Sequence, residues 1–298
     1  MSAECGRQEG AELTATVSRW LPFSCVDGPG NRLVLFLQGC NFRCPGCHNP
    51  HTIGLCDHCG DCVPGCPSGA LTLQEGRVSW REASCTDCDA CLEACPRSAS
   101  PKTRQMSVAE VLALLRRYGP LLTGITVSGG EATTRLPFVI ALFTAIKGAP
   151  DLAHLTCLLD SNGSLAEPGW QRLLPVLDGA MVDLKGWHES VHLALTGRGR
   201  DRVLASLHLL AAHGKLAELR LLQVPGRSDY LDAAGELGEG LATFLQTLGR
   251  VPIRLNGFRH HGVRGAALAW SEAGGDELAA LAKALKDKGF GPVMLPAL

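Results

Sequence analysis

Cysteines are concentrated in one part of this sequence, and that concentration limits what the chain can fold into. The chain has 298 residues and 14 cysteines, and only Cys157 lies beyond position 95. The first twenty residues lack the basic and apolar segments of an export signal, so a disulfide framework is a poor interpretation and metal binding is the better one. The cysteine chemistry therefore belongs to one region of the fold.

Two copies of the pattern C-x2-C-x2-C-x3-C-P lie between residues 51 and 102. This run is typical of bacterial ferredoxins with two [4Fe-4S] clusters, in which the fourth cysteine of each copy ligates the other copy's cluster. The pattern predicts one cluster on Cys56, Cys59, Cys62 and Cys95, and a second on Cys85, Cys88, Cys91 and Cys66. Zinc ribbons also use C-x2-C pairs, but three cysteines at two-residue gaps plus a fourth suit a cubane better.

The segment that carries these copies differs in character from the rest of the chain. It is rich in Cys, Asp, Gly and Pro and has little long apolar periodicity. We therefore predict a ferredoxin-like insertion at residues 51–102. The main domain is predicted to consist of residues 1–50 and 103–298, with the insertion packed against it.

A third group of cysteines has spacing C-x3-C-x2-C in the stretch GCNFRCPGCHNP, residues 39–50. It comprises Cys40, Cys44 and Cys47. Zinc sites and ordinary clusters close with four protein ligands, so three cysteines leave one coordination place open, where a ligand can bind and be activated. Three further cysteines match no pattern and are predicted to be free thiols: Cys5, Cys25 and Cys157.

Strand-like apolar runs alternate with helical periodicity through the rest of the chain, a pattern typical of parallel β/α folds. Six strands are predicted, at 33–37, 124–128, 155–160, 179–184, 219–224 and 253–256. Helices are predicted at 108–118, 136–146, 202–214 and 276–289, and a short last strand at PVMLP. Six strands are fewer than the eight of a full TIM barrel, so we predict a partial (β/α)6 barrel.

Polar motifs follow four of these strands: SGGEA at 128–132, DSNG at 160–163, DLKG at 183–186 and QVPG at 223–226. In β/α barrels the active site is built from the loops at the carboxyl ends of the strands. We therefore expect these motifs to meet at one site.

The charge pattern excludes other classes of partner. Lys and Arg number 28 and Asp and Glu number 29, and no basic block or acidic tail interrupts the chain. Nucleic acid and membrane surfaces are therefore not expected as partners. The sequence also has no run of 18 apolar residues, so we expect a cytoplasmic protein.

The three-cysteine loop directly after the first predicted strand resembles that of the radical S-adenosylmethionine superfamily. The resemblance implies that the open iron binds the amino and carboxylate groups of S-adenosylmethionine. One electron from the cluster then cleaves the sulfonium to methionine and a 5′-deoxyadenosyl radical, which abstracts hydrogen from an unactivated C–H bond. Iron–sulfur potentials extend down to about −700 mV, so a cubane can supply such an electron.

Flanking residues narrow the resemblance. The stretch DGPG-x-R-x3-F-x2-GC at 27–40, followed by CHNP, is similar to the activating enzymes of glycyl radical enzymes, the family of the pyruvate formate-lyase activating enzyme. SGGEA, DSNG, DLK, H-x3-LTG from His192 and R-x3-VPG-x2-D from Arg220 extend the similarity along most of the chain. With its insertion, the sequence most resembles the YjjW-type activating enzymes.

This resemblance implies a protein substrate. The expected reaction is abstraction of the α-hydrogen from one backbone glycine of a partner glycyl radical enzyme. Reduced flavodoxin or ferredoxin is the expected electron donor, and the protein is expected to be a monomer that works under anaerobic conditions. The two clusters of the insertion would relay electrons or help to dock the partner.

The resemblance also assigns site residues. Cys40, Cys44 and Cys47 would hold the catalytic cluster. The cofactor-binding residues would be Gly129, Gly130, Glu131, Asn162, Asp183, Lys185, Arg220 and His260. The glycines would let the backbone approach a ligand, Glu131 would accept from the ammonium group, and Lys185 would pair with the methionine carboxylate.

Other roles within that set are less specific. Arg220 or Asn162 would reach ribose or carboxylate oxygens. Asp160 and Asp183 would shape the site or cap the segments that follow them.

Two departures from the family pattern affect this assignment. Gly46 stands where many superfamily members have an aromatic residue that contacts adenine, so another group must hold the base, and the backbone near His48 is a candidate. The family's Pro-aromatic-His stretch near the last strands reads NGFRHHG here, so the equivalent histidine is either His260 or His261.

Two other functions remain open at this stage. One is a radical S-adenosylmethionine enzyme that acts on a small molecule or a peptide, and the DGPG-x-R stretch argues against it. The other is an iron–sulfur electron carrier without chemistry of its own. The three-cysteine loop argues against a carrier, because a carrier has no use for an open iron.

Overall fold

The computed structural model describes residues 12–296. In chain order its strands are β1 Thr14–Ser24, β2 Arg32–Leu37, β3 Leu71–Gln74, β4 Arg77–Trp80, β5 Arg104–Ser107, β6 Gly124–Gly129, β7 Thr156–Ser161, β8 Gly179–Leu184, β9 Leu216–Gln223, β10 Ile253–Gly257 and β11 Val293–Met294. Its α-helices are α1 Ala90–Glu93, α2 Val108–Tyr118, α3 Leu136–Gly148, α4 Glu167–Leu173, α5 Glu189–Thr196, α6 Asp201–Ala212, α7 Glu239–Thr247 and α8 Gly275–Asp287. Across these described residues, no helix combines the length and the apolar character needed to cross a membrane.

A mostly parallel sheet forms the framework of the molecule. Its strand order is β11-β10-β9-β8-β7-β6-β2-β1-β5, and β2 and β6 to β11 run parallel to one another. All six predicted strands are present, and the last short strand is β11. Strands such as β6 are buried along nearly their whole length, as expected where helices cover a parallel sheet.

The sheet is larger than the sequence predicts. β1 and β5 add two antiparallel strands beside β2 and extend the sheet beyond the parallel set. The sheet is open, with β5 and β11 at its two edges. The chain therefore combines the predicted parallel β/α core with an antiparallel edge.

A buried arginine fixes the amino ends of three parallel strands. Arg32, fully buried at the start of β2, donates from Nε to Thr126 Oγ1 at 2.7 Å in β6. Its Nη1 donates to Thr156 Oγ1 at 2.9 Å and its Nη2 to Thr156 O at 2.9 Å, at the start of β7. Burial lowers the pKa of its guanidinium to about 10. The arginine of the DGPG-x-R motif is therefore part of the framework rather than of the site.

The cysteine-rich segment has a small apolar cluster of its own. The antiparallel hairpin β3–β4 and helix α1 enclose Leu71, Val78 and Leu92, which pack with Cys62 and Cys91. This cluster is separate from the core of the main sheet.

Contacts across the boundary hold this segment against the sheet. Arg104 of β5 forms an ion pair with Glu82 and lies over the rings of Trp20 and Trp80, at 5.3 Å and 5.9 Å from their centres. Gln38 Nε2, which follows β2, also donates to Gly54 O at 2.7 Å. The segment is thus packed on the main sheet at several points along its length.

Candidate active site

The carboxyl ends of the parallel strands converge on one cavity of about 740 Å³. The loop after β2 contributes all three cysteines of the C-x3-C-x2-C group to its lining, and β6 to β10 each contribute residues at or just after their ends. SGGEA, DSNG and DLKG lie together at this cavity, as the sequence predicts, and QVPG contributes Val224 to the lining.

The three cysteines are half-buried and face this cavity. Burial raises the pKa of Cys40 to about 12 and that of Cys44 to about 11, and it raises the pKa of Cys47 as well. Ionised thiolates, which bind iron, therefore need a cationic partner here. This donor set fits a cluster that binds three thiolates and supplies positive charge.

A single metal ion fits less well. No three Cys, His, Asp or Glu side chains within residues 12–296 converge as closely as one ion requires. A cubane binds each thiolate to a different iron, so its cysteines stand farther apart.

The start of the cysteine loop is anchored by the backbone of residues 52 and 53, at the start of the cysteine-rich segment. Gly39 N donates to Thr52 O and Cys40 N donates to Ile53 O, both at 2.9 Å. The middle of the loop is anchored by two other segments. Arg43 N donates to Thr196 O at 2.9 Å, Arg198 Nε to Asn41 O at 3.1 Å, and Asn162 Nδ2 to Asn41 Oδ1 at 2.9 Å.

These anchors include residues to which the sequence assigned no role. Asn41 lies between two cysteines without any motif of its own, and Thr196 belongs to H-x3-LTG, which was known only as a match to the family. The side chain of Thr196 also donates to His192 O at 2.7 Å. Because Thr196 O accepts from Arg43 N, this motif holds the middle of the cysteine loop in place.

Gly129 and Gly130 line the cavity, but the space they leave is filled by the chain's own backbone. A Cβ on Gly129, whose φ is +126°, would lie 2.1 Å from Leu37 O, and one on Gly130 would lie 2.5 Å from Gly39 O. Glycine is therefore required so that this loop can pass close to the start of the cysteine loop. The prediction from the sequence was that these glycines let the backbone approach a ligand.

Glu131 is buried and accepts four hydrogen bonds. Its Oε1 accepts from Thr133 N, Thr133 Oγ1 and Ser161 Oγ at 2.6 to 3.0 Å, and its Oε2 accepts from Asn162 N at 2.6 Å. Burial raises the pKa of the carboxyl group, and these donors oppose the shift. The carboxylate therefore holds the loop after β6 against the end of β7.

Lys185 brings positive charge close to the cysteines. Its Nζ forms an ion pair of 2.9 Å with Asp183 Oδ2. Burial disfavours the charged form, but Asp183 and the thiols of Cys44 and Cys47 more than offset this and raise the pKa of Lys185 above its usual value. The ammonium is therefore charged within the cavity.

Arg220 belongs to a chain of ion pairs across the sheet. It is buried, and its Nη1 lies 2.9 Å from Asp160 Oδ1 while its Nε lies 2.6 Å from Glu218 Oε1. Ser128 Oγ donates to the other oxygen of Asp160, and Arg254 Nε pairs with Glu218. Arg220 lines the cavity with Nε and Nη1 already directed at carboxylates, while Nη2 donates to Met181 Sδ at 3.1 Å.

An aromatic pair occupies the space beside Gly46. A Cβ on Gly46 would lie 3.0 Å from Phe258 Cε2 and 3.1 Å from Trp270 Cζ3, and both rings line the cavity. The guanidinium of Arg227 lies 4.2 Å from the centre of the Trp270 ring. The sequence missed this pair, although Gly46 indicated that an aromatic group was missing from its usual place.

The structure does not place His260 among the residues that line the cavity. His260 Nε2 lies 2.7 Å from Trp270 O, and its backbone N donates to Glu272 Oε1 at 2.7 Å. His261 is exposed and also absent from the lining. The ring of His260 therefore supports the segment that carries Trp270.

The structure brings several of the other patterned cysteines together. A small cavity is lined by four of them together, Cys66, Cys85, Cys88 and Cys91. Burial raises the pKa of Cys62 to about 11, and the neighbouring thiols of Cys91, Cys56 and Cys95 act in the same direction. The fourth cysteine of each copy thus lies beside the other copy's cysteines.

The remaining cysteines lie apart from these groups. Cys25 is exposed and Cys157 is buried in the main core, and both are free thiols. Cys5 lies outside the described residues.

Comparison with known proteins places this site in a family. The model of the Radical SAM superfamily matches residues 34–229. The pyruvate formate-lyase-activating enzyme of Streptococcus mutans is 29% identical over 78% of this chain and 74% of its own length. The benzylsuccinate synthase activating enzyme of Thauera aromatica is 30% identical over 90% of this chain and 88% of its own.

A solved structure shares the fold. QueE from Escherichia coli has a TM-score of 0.52 at 15% identity, and the match covers 96% of this chain and 95% of that one. The chain belongs, as its motifs predict, to the radical S-adenosylmethionine superfamily and, within it, to the activating enzymes of glycyl radical enzymes.

Proposed function

We propose that this protein activates a glycyl radical enzyme by removing the α-hydrogen from one glycine of that partner. The observation that carries the proposal is the cavity in which Cys40, Cys44 and Cys47 meet the motifs of β6 to β8, in a chain whose relatives are named as activating enzymes. The sheet is open rather than closed into a full barrel. This suits a protein substrate, because a glycine-bearing loop needs access from outside.

Membership of the superfamily implies S-adenosylmethionine and a [4Fe-4S] cluster. The three cysteines would hold three irons and leave the fourth to the amino and carboxylate groups of S-adenosylmethionine. When bound and given one electron, this pair would supply methionine and a 5′-deoxyadenosyl radical, which would take the glycine hydrogen to give 5′-deoxyadenosine and a glycyl radical.

Charged residues of the cavity would position the ligand. Lys185 Nζ, charged and close to Cys44 and Cys47, would bind the methionine carboxylate, while Asp183 keeps the lysine in place. Oε2 of Glu131 has one donor where Oε1 has three, so Oε2 is the atom with capacity left for an ammonium group. Arg220 would reach ribose or carboxylate oxygens through Nη1, which already pairs with Asp160, or through Nη2, which donates to Met181 Sδ.

Neutral groups would complete the site. Asn162 contributes mainly by holding the cysteine loop through Asn41. Phe258 and Trp270, whose ring planes are 51° apart, present an apolar aromatic surface beside Gly46, and the backbone near His48 lies at the same cavity. We assign adenine to this surface, because purine rings stack on aromatic side chains.

The insertion at 51–102 would carry two further [4Fe-4S] clusters in a ferredoxin-like arrangement, as in the YjjW-type enzymes. The grouping of Cys66 with Cys85, Cys88 and Cys91 supports the exchange of fourth cysteines between the copies. Reduced flavodoxin or ferredoxin remains the expected donor, a cytoplasmic monomer the expected form, and 1–50 with 103–298 the expected main domain.

The test is transfer of a labelled hydrogen. The reconstituted protein would be given S-adenosylmethionine, reductant and partners with α-deuterated glycine: pyruvate formate-lyase, benzylsuccinate synthase and any glycyl radical enzyme encoded beside its own gene. We expect deuterium in 5′-deoxyadenosine and a glycyl radical signal in the EPR spectrum of one partner. Cys44→Ala should abolish both, whereas Cys25→Ala, at an exposed cysteine outside the patterns, should abolish neither. Cleavage without deuterium from any partner would contradict the proposal.

A further inference from the structure

The insertion meets the active site at the backbone of residues 53 and 54. Cys40 N donates to Ile53 O at 2.9 Å, so the first cysteine of the site is hydrogen-bonded to the chain that enters the insertion. Cys56 follows Ile53 by three residues, and three residues of extended chain span at most about 10 Å. One hydrogen bond and a short length of backbone therefore join Cys40 to Cys56.

The other end of the same cysteine group returns to this point. Gly54 N donates to Ser98 O at 2.8 Å, and a Cβ on Gly54 would lie 2.1 Å from Arg97 O. Arg97 follows Cys95 by two residues. Both Cys56 and Cys95, which we place in one group with Cys59 and Cys62, are thus close in the chain to the backbone that bonds to Cys40.

The second cysteine group has a longer connection to the site. Leu92 O, next to Cys91, accepts from the guanidinium of Arg264. The loop before Arg264 approaches the site through Gly262, where a Cβ would lie 1.9 Å from His48 O. This route needs an arginine side chain and a contact between unbonded groups. Electron tunnelling slows steeply as the path lengthens and wherever the path crosses between atoms that are not bonded. The route through Arg264 should therefore carry electrons more slowly than the route through Ile53.

We propose that the backbone from Ile53 to Cys56 is the electron path into the active site, so that the group of Cys56, Cys59, Cys62 and Cys95 is the immediate donor and the group of Cys66, Cys85, Cys88 and Cys91 is distal. The inference rests on the proposed function, in which both groups hold clusters. The cluster held by the immediate donor group would lose one electron and be oxidised, and the cluster held by Cys40, Cys44 and Cys47 would gain it and be reduced. Reduced flavodoxin restores the donor.

Two cysteines allow a matched comparison. Cys59 and Cys88 are each the second cysteine of their copy, and both are exposed. Cys59→Ala and Cys88→Ala should each lower the iron content from about 12 to about 8 atoms per chain. The measurement is rapid-freeze EPR of the signal that S-adenosylmethionine perturbs, after mixing with reduced flavodoxin. We expect this signal to grow at least tenfold more slowly in Cys59→Ala than in Cys88→Ala, with the same final amplitude after prolonged dithionite reduction.

Two further variants keep every cysteine. Gly54→Ala forces the backbones at Gly54 and Arg97 apart and should slow the reduction, whereas Arg264→Met cuts the longer connection and should leave the rate unchanged. These variants decide the question even where loss of a cysteine unfolds the insertion.

The outcomes separate the possibilities. The order of the groups would be reversed if this EPR signal grew more slowly in Cys88→Ala and Arg264→Met but at the wild-type rate in Cys59→Ala and Gly54→Ala. Wild-type rates in all four variants would show that the insertion is no relay. If the wild-type protein showed the expected order of reduction but installed no glycyl radical on any partner, the glycine step of the proposed function would fall while its clusters and this inference stood.

Discussion

Asn162 Nδ2 donates to Asn41 Oδ1 at 2.9 Å, and this bond joins the loop after β7 to the cysteine loop. Asn41 also donates to Ser164 Oγ at 2.7 Å, so the contact is reciprocal. Because Asn41 lies directly after Cys40, the position of the cysteine loop depends on a loop 120 residues farther along the chain. Cluster retention and loop packing are therefore coupled.

Asn162→Ala should weaken the hold on the cysteine loop without removing a ligand. The variant loses the bond to Asn41 and the one that Ser164 N donates to Asn162 Oδ1. Each lost hydrogen bond costs about 1 kcal/mol, so we expect iron to be released to a chelator several-fold faster than from the wild type. The measurement is the rate of iron release after anaerobic reconstitution. Asn31→Ala is the control, because it removes a bond to Leu121 O at the amino end of the sheet. Equal release rates in the two variants would show that the Asn162–Asn41 bond does not secure the loop.

Glu131→Gln should destabilise the fold more than its small chemical change suggests. The amide has one acceptor oxygen and turns an NH2 group toward a donor that the carboxylate now accepts, and a buried unsatisfied group costs about 1–3 kcal/mol. Urea unfolding of the iron-free protein checks this. Glu239→Gln, at an exposed position in the first turn of α7, should unfold at the wild-type concentration. Unfolding of Glu131→Gln at that same concentration would show that its four donors contribute little.

Sequence patterns identified the parts of this protein that are local. The parallel strands are short apolar runs, and the cysteine groups have regular spacing, so both could be predicted. β1 was missed because buried and less buried residues alternate only over its first five positions, and because it includes Arg19 and Pro22, which weaken the signal of a strand.

The roles of site residues depend on contacts that no local pattern contains. The donors that engage Glu131 include Ser161 and Asn162, 30 residues away, and those contacts decide how much of the carboxylate is left for a ligand. Arg32 was recognised only as part of a motif, since its acceptors in β6 and β7 lie about a hundred residues along the chain. Gly46 indicated a missing ring, but only the fold identifies Phe258 and Trp270 as its neighbours.

Arg32→Met should be among the most destabilising substitutions outside the site. It keeps much of the apolar volume but leaves buried oxygens of β6 and β7 without a donor, which should cost about 2–4 kcal/mol. The thermal midpoint of the iron-free protein should fall accordingly. Arg116→Met, which breaks an exposed ion pair with Asp151, should change the midpoint little. Equal thermal midpoints in the two variants would show that the hydrogen bonds of Arg32 do not hold the amino ends of these strands together.

Trp270→Ala should weaken binding of S-adenosylmethionine while leaving the iron content unchanged. Stacking of a base on an aromatic side chain contributes about 1–3 kcal/mol, so we expect the Kd to rise about tenfold or more. Equilibrium dialysis with the reconstituted protein gives this value, and quenching of tryptophan fluorescence by the ligand should be smaller in the variant. Trp20→Ala is the control, because Trp20 packs beside β2 and does not line the cavity. A Kd in Trp270→Ala equal to that of Trp20→Ala would remove the aromatic pair from the site and leave the backbone near His48 as the candidate that holds adenine.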